Sequence, residues 1–101
     1  MIRSIDLRPD HAKIARDILA QRLPVGVSVR VFGSRAKGTA KPYSDLDLAL
    51  KGTDRLSSGL LADLAEALSE SDLPFKVDVL DWRSVPSSLR EAIDRDGIEF
   101  G

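Results

Sequence analysis

The stretch Val31–Leu50, VFGSRAKGTAKPYSDLDLAL, decides the fold. It opens on the end of one strand and turns at Gly33-Ser34-Arg35. A loop marked by Gly38, Lys41 and Pro42 comes next, and the stretch closes on a second strand. There Leu46, Leu48 and Leu50 alternate with Asp45, Asp47 and Ala49, which predicts one apolar face. Side chains two apart on a strand share a face, so Asp45 and Asp47 point at a common place. Two like charges that close are costly unless a cation lies between them. Beside them, glycine at position 33 lets backbone N–H groups come close to phosphate oxygens, and Ser34 adds a hydroxyl. A phosphate turn next to paired carboxylates points to metal-assisted chemistry on a nucleoside triphosphate.

Outward from this stretch the pattern continues. Val27, Val29 and Val31 alternate with Ser28 and Arg30, which predicts a strand over Val25–Phe32. Ahead of it, residues 9–23 read as a helix: Pro9 suits a first turn, Asp10 suits the positive helix end, and Pro24 stops it. Its apolar stripe is Ala12, Ile14, Ala15, Ile18 and Leu19. One helical turn is expected at Ser34–Lys37. Downstream, Ser57 or Ser58 caps a helix whose inner face is Leu60, Leu61, Leu64, Ala67 and Leu68. Phe75–Leu80, FKVDVL, reads as a third strand. A last helix begins at Ser84 or Ser87, carries Leu89, Ala92 and Ile93 inward, and stops at Gly97. Ile98-Glu99-Phe100 is a short closing strand or a tail. The chain shows no repeat, low-complexity segment or interdomain linker.

Composition narrows the chemistry. A hydrophobic fraction of 43% with 31% charged residues fits a folded domain rather than a disordered one. The net charge of -1 offers no general attraction to nucleic acid, so direct nucleic-acid binding is not expected. There is no cysteine, which excludes thiolate ligands, disulfides and a cysteine nucleophile. The single histidine, His11, is expected on the solvent side of the first helix, so serine–histidine catalysis is not supported. No apolar run approaches the ~20 residues of a membrane span, and no signal-peptide core precedes the first helix. The expected location is cytoplasmic.

A third acid joins the pair. Asp78 lies in the middle of an apolar strand, where aspartate is disfavoured without a metal or a partner on a neighbouring strand. Each part alone has a plain alternative: an ordinary strand-to-helix turn, two solvent-facing aspartates, an edge-strand acid facing water. Asp81, three residues from Asp78, falls on the opposite face and is expected to cap the segment after the strand. Trp82 and Phe100 read equally well as core or as partner surface, and Tyr43 as an exposed loop residue or a base-stacking one.

Together, Gly33-Ser34-Arg35-Ala36-Lys37-Gly38, Ser44-Asp45-Leu46-Asp47-Leu48 and Val77-Asp78-Val79 closely resemble the minimal nucleotidyltransferases of the DNA polymerase β superfamily. The resemblance runs from about Val27 to Leu80. It implies one α+β domain over residues 1–101, an α/β sandwich with a mixed sheet of three to four strands and about three helices. It further implies that Gly33 and Ser34 hold the β- and γ-phosphates of ATP. Asp45, Asp47 and Asp78 would bind two magnesium ions, with Asp78 favouring deprotonation of the incoming hydroxyl. Arg35 stands at the family's usual basic position and is expected to contact phosphate; otherwise it is a surface arginine paired with an acid. Lys37 stands where the family often has arginine, so it keeps the charge but loses the bidentate fork.

The implied reaction is attack of a hydroxyl on the α-phosphorus of ATP or another triphosphate, with pyrophosphate leaving. Proteins resembling this one commonly pair with a small helical partner of the HEPN type in toxin–antitoxin modules. There the nucleotidyltransferase acts as antitoxin by moving AMP onto a tyrosine of the toxin. Two other readings stand beside it: a non-catalytic subunit that neutralises a helical partner by contact, and nucleotidyl transfer to a small molecule. Apolar residues left exposed on so small a domain favour a homodimer or heteromer.

Overall fold

A computed structural model describes residues 4–100, which form a four-stranded mixed sheet with four helices. The helices are α1 (Pro9–Arg22), α2 (Ser34–Lys37), α3 (Ser58–Ser69) and α4 (Ser87–Asp96). The strands are β1 (Ser28–Phe32), β2 (Leu46–Lys51), β3 (Val77–Asp81) and β4 (Ile98–Glu99), and a 3-10 turn covers Trp82–Ser84. They lie side by side in the order β3-β2-β1-β4. β2 pairs antiparallel with β1 and parallel with β3, and β4 pairs antiparallel with β1. The expected mixed α+β sandwich is therefore present, with the closing strand formed.

Period-two alternation divides the sheet into two faces. Val29, Val31, Leu46, Leu48 and Leu50 are buried on one of them, against Ala12, Ala15 and Leu19 of α1 and Leu64 and Leu68 of α3. Among the described residues, the largest side chains that are almost wholly enclosed include all three β2 leucines. β2 is thus the strand that the core holds hardest, and its other face carries Asp47. α4 covers the lower part of that second face, where Ile93 and Ala49 are buried beside Arg30 and Trp82.

Local signals mark most boundaries. Pro9 opens α1, and the N–H of Leu23 closes it on the Leu19 carbonyl. Ser57 caps α3 by accepting from the Leu60 N–H at 3.1 Å. The first strand begins later than its alternation predicts, because Val25 is fully exposed and Gly26 turns the chain with φ +91°. The third strand is likewise displaced: Phe75 precedes it and fills the core, and Asp81 joins its end. His11 is not the solvent-facing residue expected. It is half-buried and meets Phe75 edge-on, with ring centroids 5.5 Å apart. Phe100 belongs to the core, whereas Trp82 is half-buried with Lys51 4.0 Å above its ring and its indole N–H donating to Asp94.

Asp81 caps as expected, and more extensively. Its buried carboxylate accepts from the Leu56 N–H (2.9 Å), the Arg83 N–H (3.1 Å) and the Ser84 hydroxyl (3.0 Å). Burial by itself would raise its pKa, but these donors outweigh burial and hold the carboxyl below its ordinary value of 3.8. A depressed pKa gives stability that is present above the ordinary value and lost as pH falls through the lower, folded one. Asp81→Asn is therefore expected to cost about 1–2 kcal/mol at neutral pH and less at pH 3, measured by denaturant unfolding at both.

Candidate active site

The site stands at one end of the second sheet face, where β1 hands over to α2. β2 places Asp47 between Leu46 and Leu48, both fully buried, so the core aims the carboxylate outward. The antiparallel register sets Asp47 opposite Phe32, immediately before Gly33. The parallel register sets it opposite Asp78. Two of the three expected acids thus face each other across adjacent strands.

Gly33 makes this arrangement sterically feasible. Its backbone has φ +75° and ψ -152°, a region essentially reserved for glycine. A Cβ at this position would sit on the Asp47 carboxylate, so glycine is required by the acid as well as by the turn. From Gly33 the chain enters α2, whose Ala36 and Lys37 N–H groups both bond the Gly33 carbonyl at 3.1 Å. Gly38 closes that single turn in the left-handed conformation. Ser34 is the first residue of α2, half-buried beside the acids' end of the sheet.

The electrostatics are those of an acid cluster. Asp47 is raised above the ordinary carboxylate range, first by burial and then by repulsion from Asp78 and Asp45. Lys76 opposes that shift, and its ammonium lies 3.3 Å from Asp78 Oδ1. Asp45 is exposed just ahead of β2. Among the described residues, no three carboxylate or imidazole groups stand close enough to form a ready cage for a metal ion. The facing pair Asp47–Asp78 is assembled, and Asp45 flanks it.

Arg35 departs from expectation on both counts. It neither reaches for phosphate nor pairs with an acid at the surface: it is only 5% exposed and spends its guanidinium on backbone carbonyls. Nε and Nη2 donate to Ser44 (3.1 and 2.8 Å), Nη1 to Asp6 (2.8 Å) and Nη2 also to Pro42 (3.2 Å). The group lies 4.2 Å from the centre of the Phe75 ring. Arg35 is a brace that fastens the loop before Asp45, and the segment at Asp6, to α2. Lysine has no planar fork with which to span three carbonyls. Arg35→Ala and Arg35→Lys are both expected to destabilise the fold, the former by roughly 3 kcal/mol in denaturant unfolding.

The same brace borders a cavity of about 420 Å³ lined by Arg8, His11, Arg35, Lys41, Pro42 and Tyr43. Tyr43 itself is 76% exposed. Lys37 is exposed on α2 and makes none of these contacts.

Residues 14–100 match the family described as Polymerase beta, Nucleotidyltransferase. The Probable protein adenylyltransferase MntA of Haemophilus influenzae is 45% identical over 89 residues, covering 88% of this chain and 77% of that protein. A crystal structure of a toxin–antitoxin with AMP-PNP superposes with a TM-score of 0.76 at 27% identity, over 89% of this chain and 72% of that one. A chain assigned as a minimal nucleotidyltransferase superposes at 0.67 with 34% identity, over 88% of each. No helix among the described residues is long and apolar enough to cross a membrane.

Proposed function

Because this chain belongs to the polymerase beta nucleotidyltransferase family, we propose that it transfers AMP from ATP to a hydroxyl on a partner protein. The partner we assign is a helical toxin of the HEPN type, the acceptor is a tyrosine, and the chain serves as its antitoxin in the cytoplasm. One observation carries the reading: Asp47 and Asp78 face each other in register beneath a glycine whose missing side chain leaves room for the carboxylate. The relative named as a protein adenylyltransferase supports a protein acceptor, and the neighbour crystallised with AMP-PNP supports ATP as donor.

The donor set suits magnesium. It is all carboxylate oxygen, the ligand type that ion prefers, and the repulsion raising Asp47 is what a cation would relieve. Asp45, Asp47 and Asp78 would hold the ions, which supply charge neutralisation at the attacking and leaving oxygens. The rest falls to the chain's own groups. Gly33 and Ser34 hold the triphosphate's outer phosphates at the start of α2. Asp78, half-exposed on β3, takes the proton of the incoming hydroxyl as that oxygen attacks the α-phosphorus. The bond from the α-phosphorus to the bridging oxygen breaks, and pyrophosphate leaves. Positioning and electrostatics supply most of the rate, so the absence of a catalytic histidine is no obstacle.

The test incubates the protein with magnesium, ATP labelled at the α-phosphate and a HEPN-type partner encoded beside it. Label appears on a partner tyrosine with the wild type and disappears with Asp45→Asn or Asp78→Asn. Neutralisation of the partner that survives these substitutions, with no label transferred, would overturn the enzyme in favour of a subunit acting by contact.

A further inference from the structure

Lys76 is the residue of this site that its sequence motifs do not contain. It stands one residue ahead of β3, and its carbonyl accepts from the Leu46 N–H at 2.9 Å, tying it to the start of β2. Positions 76 and 78 share a face of extended chain, so the lysine stem runs alongside Asp78. Its ammonium reaches Asp78 Oδ1 at 3.3 Å, on the side chain that the parallel register places against Asp47. Asp45, Asp47 and Asp78 supply negative charge here, and Lys76 is the cation set against them.

We propose that Lys76 is a built-in counter-ion for the facing pair Asp47–Asp78, one that a divalent cation must displace in order to bind. The ion pair is solvent-facing, with the Lys76 side chain 72% exposed and that of Asp78 38%. Such pairs are weak, and weakness is the property the role requires. The ammonium screens the two acids while no metal is present and yields to a doubly charged ion. Lysine suits this better than arginine. Its flexible point charge lets go easily, whereas a guanidinium fork would grip Asp78 through two hydrogen bonds. The consequence is a site whose affinity for free metal is held down, so that metal arrives preferentially with the triphosphate, whose own charge compensates the ion.

The inference rests on the metal reading above, and the test keeps the two apart. Mn2+ is titrated calorimetrically into the full chain at low ionic strength, without nucleotide, using wild type, Lys76→Met and Lys76→Arg. Lys13→Met serves as a control for net charge, since Lys13 is ion-paired with Asp17 on α1 at 2.7 Å. Lys76→Met is expected to bind Mn2+ about threefold more tightly than wild type, the scale set by an exposed ion pair. Lys76→Arg should bind no more tightly than wild type, and Lys13→Met should match it. The gain from Lys76→Met should also shrink at high salt. Equal or weaker Mn2+ affinity in Lys76→Met overturns the counter-ion role alone. No Mn2+ binding in Lys76→Met overturns the displacement, and AMP-PNP binding to wild type that is no tighter with Mn2+ than without it overturns the metal reading as well.

Discussion

Asp47→Asn is expected to remove AMP transfer, by roughly a thousandfold or more, while making the metal-free protein slightly more stable. The two effects have one origin. Burial and the neighbouring acids raise the Asp47 pKa, so the folded state disfavours the charged carboxylate relative to the unfolded chain. A raised acid pKa means that the native state binds more protons between the ordinary value of 3.8 and the raised one. Stability therefore falls as pH rises through that interval, and it stays lower at neutral pH. Asparagine keeps the shape and removes the charge. In the presence of a chelator, thermal unfolding of Asp47→Asn should occur about 1–2 °C above wild type. A variant that loses several degrees would show Asp47 to be a structural residue, and one that still labels its partner would show it dispensable for chemistry.

Gly33→Ala is the second large effect, and it works by steric displacement. The new methyl would occupy the position of the Asp47 carboxylate, on a backbone with φ +75° and ψ -152° that alanine adopts only under strain. Either the turn or the acid must move. The expected outcome is at least about a hundredfold loss of transfer, since misplacement by an ångström at the reacting centre has that scale. It comes with a folding cost of about 2 kcal/mol. Gly38→Ala gives the contrast. Gly38 also has positive φ, +76°, but a Cβ there meets open space. It should cost about 1 kcal/mol and leave transfer close to wild type. Equal loss of activity in the two variants would mean that loop strain matters, and not the contact between Gly33 and Asp47.

The parts of this molecule that were legible in its sequence are those written in a short period. Leu46, Asp47 and Leu48 declare their faces by alternation alone, and the same parity places Asp81 opposite Asp78, with the core and its capping donors. Ser57 announces α3 because a cap is a local bond. What could not be read depends on chain returning from a distance. A guanidinium bound for phosphate and one bound for carbonyls look identical in sequence. Arg35 is settled by the loop at Pro42–Ser44 and by Asp6 coming back to it. His11 meets Phe75 from 64 positions away, so an apparently wet helix face is half-covered. Lys76 is silent in the sequence because an exposed lysine before a strand carries no signal until β3 is docked against β2.

The parallel pairing of β2 with β3 has a consequence for how this chain can change. Val77 and Val79 lie opposite Leu46 and Leu48 and pack against the core, and between them they hold Asp78 level with Asp47. A slip of one residue would turn Asp78 inward and a valine outward. Two side chains turned to the core therefore set the alignment of the acids proposed to carry the chemistry. Selection for folding and selection for turnover act on the same pair of valines. A hydrophobic library at positions 77 and 79 would sort by activity as sharply as by stability, and this corner of the interior cannot drift without retuning the chemistry above it.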